Sequence, residues 1–227
     1  METLKLPFDG LSQVDRLNII FFGEMELPAA ERKLRAVMAA ALQEIVRRYY
    51  DTIQGIGTPF IDTADRMPLY AAAAVVLARE YRSLFERYYE LYVSTAGGSD
   101  GTPYQGTSAW EREHSEDFAA WITATAISQP GISFTAAHVI SVIRTEINAI
   151  CNLALLDCAF RNGKRRKRWK TFGDSRVRPT HRQADGQEVP IDEPFDVGGY
   201  KMMFPNDSSL GAPPQEIVNC RCTMITT

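Results

Sequence analysis

The residues best able to do chemistry lie near the C-terminal end. Asp174, Arg176, Arg178 and His181 fall within eight positions, and Cys220 and Cys222 flank Arg221. An acid, a histidine and a thiol can form a nucleophilic site, with Cys220 or Cys222 attacking and His181 as base. The same two thiols and imidazole can hold zinc, although only three of four ligands are in view. A third reading is structural. A module with few apolar residues pins its turns by side-chain hydrogen bonds, here Asp174 to backbone amides and Arg176 or Arg178 to a carboxylate. Known thiol-enzyme signatures are absent around the cysteines. So are a phosphate-cradling glycine loop, a paired-histidine zinc helix and a Gly-x-Ser-x-Gly elbow. The structural network is preferred: Arg144, Glu146, Asp174, Arg176, Arg178, His181, Cys220 and Cys222, with no catalytic residue and no cofactor. Zinc on His181, Cys220 and Cys222 is the alternative, as is a cysteine-dependent enzyme.

A basic run, KRRKRWK, precedes this cluster. The net charge is −3, yet ten basic residues and one acid, Asp174, lie between Arg161 and Arg182. A basic segment on an acidic body points to a polyanion or an acidic protein surface as partner. Lys164, Arg165, Arg166, Lys167, Arg168 and Lys170 are therefore candidate contacts to nucleic acid or to an acidic protein ring. Without a reading motif, binding to double-stranded DNA would be sequence-blind and steeply salt-dependent.

These residues need a scaffold, and 227 residues suffice for one large domain or two small ones. At 45% hydrophobic and 23% charged the composition is ordinary for a soluble globular protein. No uninterrupted apolar run of about 18 residues occurs, so no membrane span is expected. The opening METLKLPFDGLSQVDR carries acids early and does not read as a signal peptide. Synthesis in a reducing cytoplasm follows, and the four cysteines fit reduced thiols. Cys151 and Cys158 are seven apart on an expected helix, about 10 Å of rise and too far for a disulfide.

The periodicity predicts four helices. The first runs from Pro28 to about residue 54, with Leu34, Val37, Met38, Leu42, Ile45, Tyr49 and Ile53 as its stripe. The second opens at Pro68 and runs to about 94, striped by Tyr81, Leu84, Phe85, Tyr88, Leu91 and Tyr92; residues 71–77 are apolar all round and expected to be buried. Residues 95–107 form a flexible, turn-rich loop. The third helix covers 108–127, with His114 read as a solvated surface residue. The fourth is capped by Ser133 and stops at Asn162-Gly163. On it, Arg144 and Glu146 are two apart, so they face different neighbours. After Gly163 short segments and turns take over, with strands expected at 169–172, 201–204 and 222–225. Residues 18–22, Asn-Ile-Ile-Phe-Phe, are a strand or a docking segment. The expected fold is α+β: about four helices, antiparallel and bundle-like, over 1–163, then a small turn-rich α+β module over 164–227.

Several pieces then occur in a telling order. Ile143-Arg-Thr-Glu-Ile-Asn148 on a helix is followed by Trp169, by Asp174-Ser-Arg-Val-Arg-Pro-Thr-His181, by Asp185-Gly186-Gln187, Pro194-Phe195 and Pro205, and by Asn219-Cys-Arg-Cys222. Over about 140–225 this resembles the phage Mu F-like minor head proteins, also called phage head morphogenesis proteins. The family often has a proline and a histidine just before its cysteine pair. Here Gln215-Glu216-Ile217-Val218 precede Asn219, which removes a candidate fourth zinc ligand. The resemblance implies a component of a tailed phage or phage-derived particle, present in few copies at the portal vertex or capsid interior. It implies portal protein, major capsid protein and packaged double-stranded DNA as partners, and a role in head morphogenesis, genome packaging or ejection. Some relatives carry a fused toxin or protease domain; residues 1–140 are taken up by three helices and the start of the fourth, so none is expected here.

Overall fold

The computed structural model describes residues 28–227; the apolar run at 18–22 lies outside the described residues. The protein is α+β, with long helices followed by short antiparallel strands. The described residues divide into two compact units, 28–86 with Glu111–Ile143 and Arg87–Trp110 with Arg144–Thr227. The composition break near Gly163 falls inside the second unit.

Helix α1 (Ala29–Ile56) opens after Pro28 and buries Leu34, Met38, Leu42, Ile45, Tyr49 and Ile53 at three- and four-residue steps. Val37 falls off that face and is 40% exposed. Arg35 is buried beside it, and its guanidinium holds Glu31 one turn back at 3.1–3.2 Å. Helix α2 (Thr63–Thr95) starts five residues earlier than Pro68. Asp62 causes this: its Oδ1 accepts the Ala64 N–H at 2.9 Å, capping the helix and leaving Pro68 inside it. Helix α3 spans Thr107–Ser128.

In the first unit, Tyr81 packs on Phe118 with ring centroids 4.7 Å apart, and Tyr50 meets Phe134 edge-on at 5.0 Å. The Tyr49 hydroxyl bonds that of Thr123. His114 is half-buried against the Tyr81 ring, not solvated. Of residues 71–77 only Ala73 and Leu77 are buried, against expectation. Val75 is 70% and Val76 44% exposed, and Phe60, Met67 and Leu69 are exposed nearby in the chain. A helix apolar on every side still offers only one face to its own neighbours. The short helix α4 (Pro130–Ser133) precedes α5 (Ala136–Arg161). Ser133 donates to the Gln129 carbonyl and does not cap; Thr135 does, accepting the His138 N–H at 3.3 Å. By length and composition α5 could cross a membrane, but 72% of its apolar window is buried within the protein, as in a core helix.

In the second unit, residues 144–161 of α5 carry polar groups among apolar ones. Asp157, buried, accepts from the Tyr104 backbone at 2.7 Å, the Tyr89 hydroxyl at 3.2 Å and Arg161 at 3.0 Å. The loop after α2 is thereby pinned rather than flexible. At Gly101 a Cβ would lie 1.9 Å from the Arg161 carbonyl oxygen, so only glycine fits. Strand β1 (Arg166–Lys170) is the centre of a three-stranded antiparallel sheet, between β2 (Glu188–Pro190) and β5 (Thr223–Thr226). Helix α6 (Pro179–Ala184) comes between β1 and β2. Strands β3 (Phe195–Val197) and β4 (Tyr200–Met202) form a separate hairpin, and α7 (Pro214–Ile217) precedes β5.

Candidate functional site

Three elements of the second unit bring His181, Cys220 and Cys222 together. Pro179 sets the first turn of α6, and His181 follows one position after Thr180, fully buried. The two cysteines bracket the turn into β5, which Asn219 enters at φ 58°. Asparagine tolerates this left-handed conformation better than most residues. Helix α5 holds that turn from below. The Thr145 hydroxyl accepts the Asn219 N–H at 2.9 Å. The Asn148 amide nitrogen lies 2.8 Å from Asn206 Oδ1, 3.0 Å from the Cys220 carbonyl and 3.2 Å from that of Cys222. Asn152 reaches the Cys222 carbonyl as well, at 3.1 Å.

His181 Nδ1 faces both sulfurs, at 3.4 Å from Cys222 Sγ and 3.5 Å from Cys220 Sγ. Its Nε2 lies 3.0 Å from Glu216 Oε2, which also accepts the Thr180 hydroxyl at 2.8 Å. The Trp169 ring stands edge-on to His181 at 5.6 Å, backed by Phe195. The buried Trp169 N–H has no hydrogen-bond partner among the described residues. All four cysteines are reduced and buried.

The electrostatics are those of a shared charge. Burial pushes the Cys220 thiol up, but hydrogen bonds from Cys222 and His181, and the charge of His181, bring it below the ordinary thiol range. The Cys222 thiol is pushed up, first by its hydrogen bond to Cys220 and then by burial. Burial draws His181 down, yet its hydrogen bond to Cys220 and the charge there leave it raised overall. The shifts favour charge on Cys220 and His181 over charge on Cys222, and a bound metal would displace the thiol protons.

Around it lies a shell of arginines. Asp174 accepts from Arg221 at 2.6 Å and from the Arg176 backbone and side chain at 3.0–3.1 Å. The Arg221 bond, followed by those of Arg176, holds the Asp174 carboxyl down at about 2. Arg221 also lies over the Phe172 ring at 4.6 Å. Arg178 donates to the Val218 carbonyl, and Arg144 to Asn219 Oδ1 at 3.3 Å. Burial, then the charges of Arg221 and Arg176, lower the Arg144 pKa. Glu146 is buried on α5. Asn148, Asn152, Glu216 and Trp169 complete the arrangement; the amide pair at a four-residue step in an apolar helix was its visible trace in the sequence.

The basic run lies elsewhere in the unit. Arg166, Arg168 and Lys170 point outward from β1, whereas Lys167 turns inward. Lys167 is buried, donates to the Met203 carbonyl at 2.8 Å and lies 5.2 Å from the Phe195 ring centre. It is therefore not a surface contact. Arg166 pairs with Glu188, while Lys164 and Arg165 are exposed just before the strand.

The model for phage Mu protein F like protein matches residues 109–225, just over half of the chain and including every residue of the thiol–imidazole cluster. The chain belongs to that family. A curated relative, the NAD(+)–arginine ADP-ribosyltransferase EFV of Enterococcus faecalis, is 38% identical over 60 residues, 26% of this chain. The chain spans 12% of that relative's length, so the activity in its name stays with that protein. No solved structure matches.

Proposed function

We propose that this is a minor head protein, built into the particle in few copies through contacts with the portal protein or the inner face of the capsid. The family match over residues 109–225 carries this reading. The first unit supplies a suitable surface: Met67, Leu69, Val75 and Val76, on α2, are apolar and exposed. Leu69 and Val76, seven residues apart, lie on one side of the helix, and a contiguous exposed apolar patch is where a protein contact forms. The second unit contains the small polar-pinned module of residues 164–227, whose outward cations Arg165, Arg168 and Lys170 suit an acidic protein rim or packaged DNA.

The test is incorporation. Val75→Glu with Val76→Glu should leave the melting temperature within about 2 °C, since both side chains face water. The doubly substituted chain should be depleted at least tenfold from purified heads. Normal incorporation would remove α2 as the assembly surface. Fewer cations of the run from Arg161 to Arg182 are on hand for sequence-blind DNA contact than the sequence offers. Lys167 is buried, and Arg161, Arg166 and Arg176 are paired to acids of the protein itself.

A further inference from the structure

A single imidazole nitrogen lies within 3.5 Å of two sulfurs. As a hydrogen-bond group Nδ1 can satisfy only one of them at a time. As a metal ligand it satisfies both. Zinc bonds of about 2.3 Å to sulfur and about 2.0 Å to nitrogen, at tetrahedral angles, put ligand nitrogen and sulfur about 3.5 Å apart and the two sulfurs about 3.8 Å apart. The observed separations are 3.4 and 3.5 Å, and all three ligand atoms lie within 4.8 Å of one another.

The surroundings fit as well. Metal-bound histidine ordinarily donates its other ring N–H to a carboxylate, which fixes tautomer and ring orientation. Glu216 stands at that position, 3.0 Å from Nε2, and is itself held by Thr180. The Trp169 N–H is buried without a hydrogen-bond partner among the described residues, on the ring that stands edge-on to His181. A nucleophilic thiol, by contrast, needs one sulfur on the imidazole and access to it, and both sulfurs here are buried. The cluster borders a cleft of about 20 Å³, room for one water, beside Phe172 and Arg178.

We propose that His181 Nδ1, Cys220 Sγ and Cys222 Sγ bind zinc, with Glu216 as a positioning residue and the fourth position filled from the cleft. The metal ties α6 to the turn entering β5, so that the last strand of the module is clipped to the helix before its hairpin. A Cys₂His donor set suits zinc among the common divalent ions.

The measurement is metal content of the full-length protein, purified without chelator, followed by cobalt(II) titration of the stripped chain. The expected result is about one zinc per chain and a thiolate-to-cobalt charge-transfer band. Cys222→Ser and His181→Asn should abolish both, whereas Cys151→Ser, a buried thiol outside the cluster, should abolish neither. Glu216→Gln should keep the spectrum and weaken affinity about 10- to 100-fold. Should the ligand variants fail to fold, a mercurial titration of the wild-type protein decides, because zinc must then leave in step with two thiols. A folded wild-type chain with under about a tenth of an equivalent of metal and no cobalt band would overturn the proposal. Fast alkylation of Cys220 in that metal-free chain would assign the cluster to thiol chemistry instead.

Discussion

At position 167 a lysine occupies an inward site of a strand whose outward sites are all cationic. Burial draws its ammonium pKa down to about 8, against the smaller upward pull of Asp207 and Asp192. In the unfolded chain the same group titrates near 10.4. The native state therefore releases its proton first. Between about pH 8 and 10.4 the unfolded chain binds more protons, and native stability rises with pH. Relative to Lys167→Met, the wild-type protein should gain up to about 3 kcal/mol across that window. Melting temperatures of the two proteins from pH 7.5 to 10.5 would show it; a constant difference would contradict a buried charged lysine. Sequence alone concealed this because KRRKRWK looks uniformly solvated. Alternation is the signal that was present: Lys167 and Trp169 lie two apart, and a strand must place both on one face.

At the scale of elements, α5 does more than end a helical region. Its residues 145, 148 and 152 supply the hydrogen bonds that hold the turn of Cys220 and Cys222. Asn148→Leu would take one donor from each of the Cys220 and Cys222 carbonyls, which Asn206 and Asn152 still reach, and the amide from Asn206 Oδ1, at a cost of about 1–3 kcal/mol. Chemical denaturation should show a lower midpoint with unchanged slope. Asn148→Ala losing under about 0.5 kcal/mol would show instead that water replaces the amide. The four long helices and the strand-rich tail were legible from apolar periodicity and from the composition shift at Gly163. Helix starts were less so. Asp62 and Thr135 cap where Pro68 and Ser133 looked better placed, since several residues in each stretch can cap and only the backbone path selects one. Strands β2 and β3 are three residues each, too short for a period to register.

The candidate site was half visible in the same way. Residue type singled out His181, Cys220 and Cys222, and the structure brings all three together. Asp174 and Arg176 form a separate salt bridge with Arg221 at its edge. Glu216 gave no warning. It sits in a proline-rich stretch, and its role depends on α6 and α7 meeting in space, which spacing along the chain does not encode.

The whole molecule, as we propose it, is a head protein with exposed apolar residues on α2 and a small module pinned by polar contacts. Removal of bound zinc should act on the module first. Chelation should lower its melting transition by several degrees, as loss of a ligand to the native state requires, and unchanged melting would separate the metal from stability. Quantitative mass spectrometry of purified heads, full beside DNA-free, tests whether the chain is a component of the particle. The account predicts a few to a few tens of copies in full heads, with loss from emptied particles if the chain leaves with the genome. Absence from both kinds of head would contradict it.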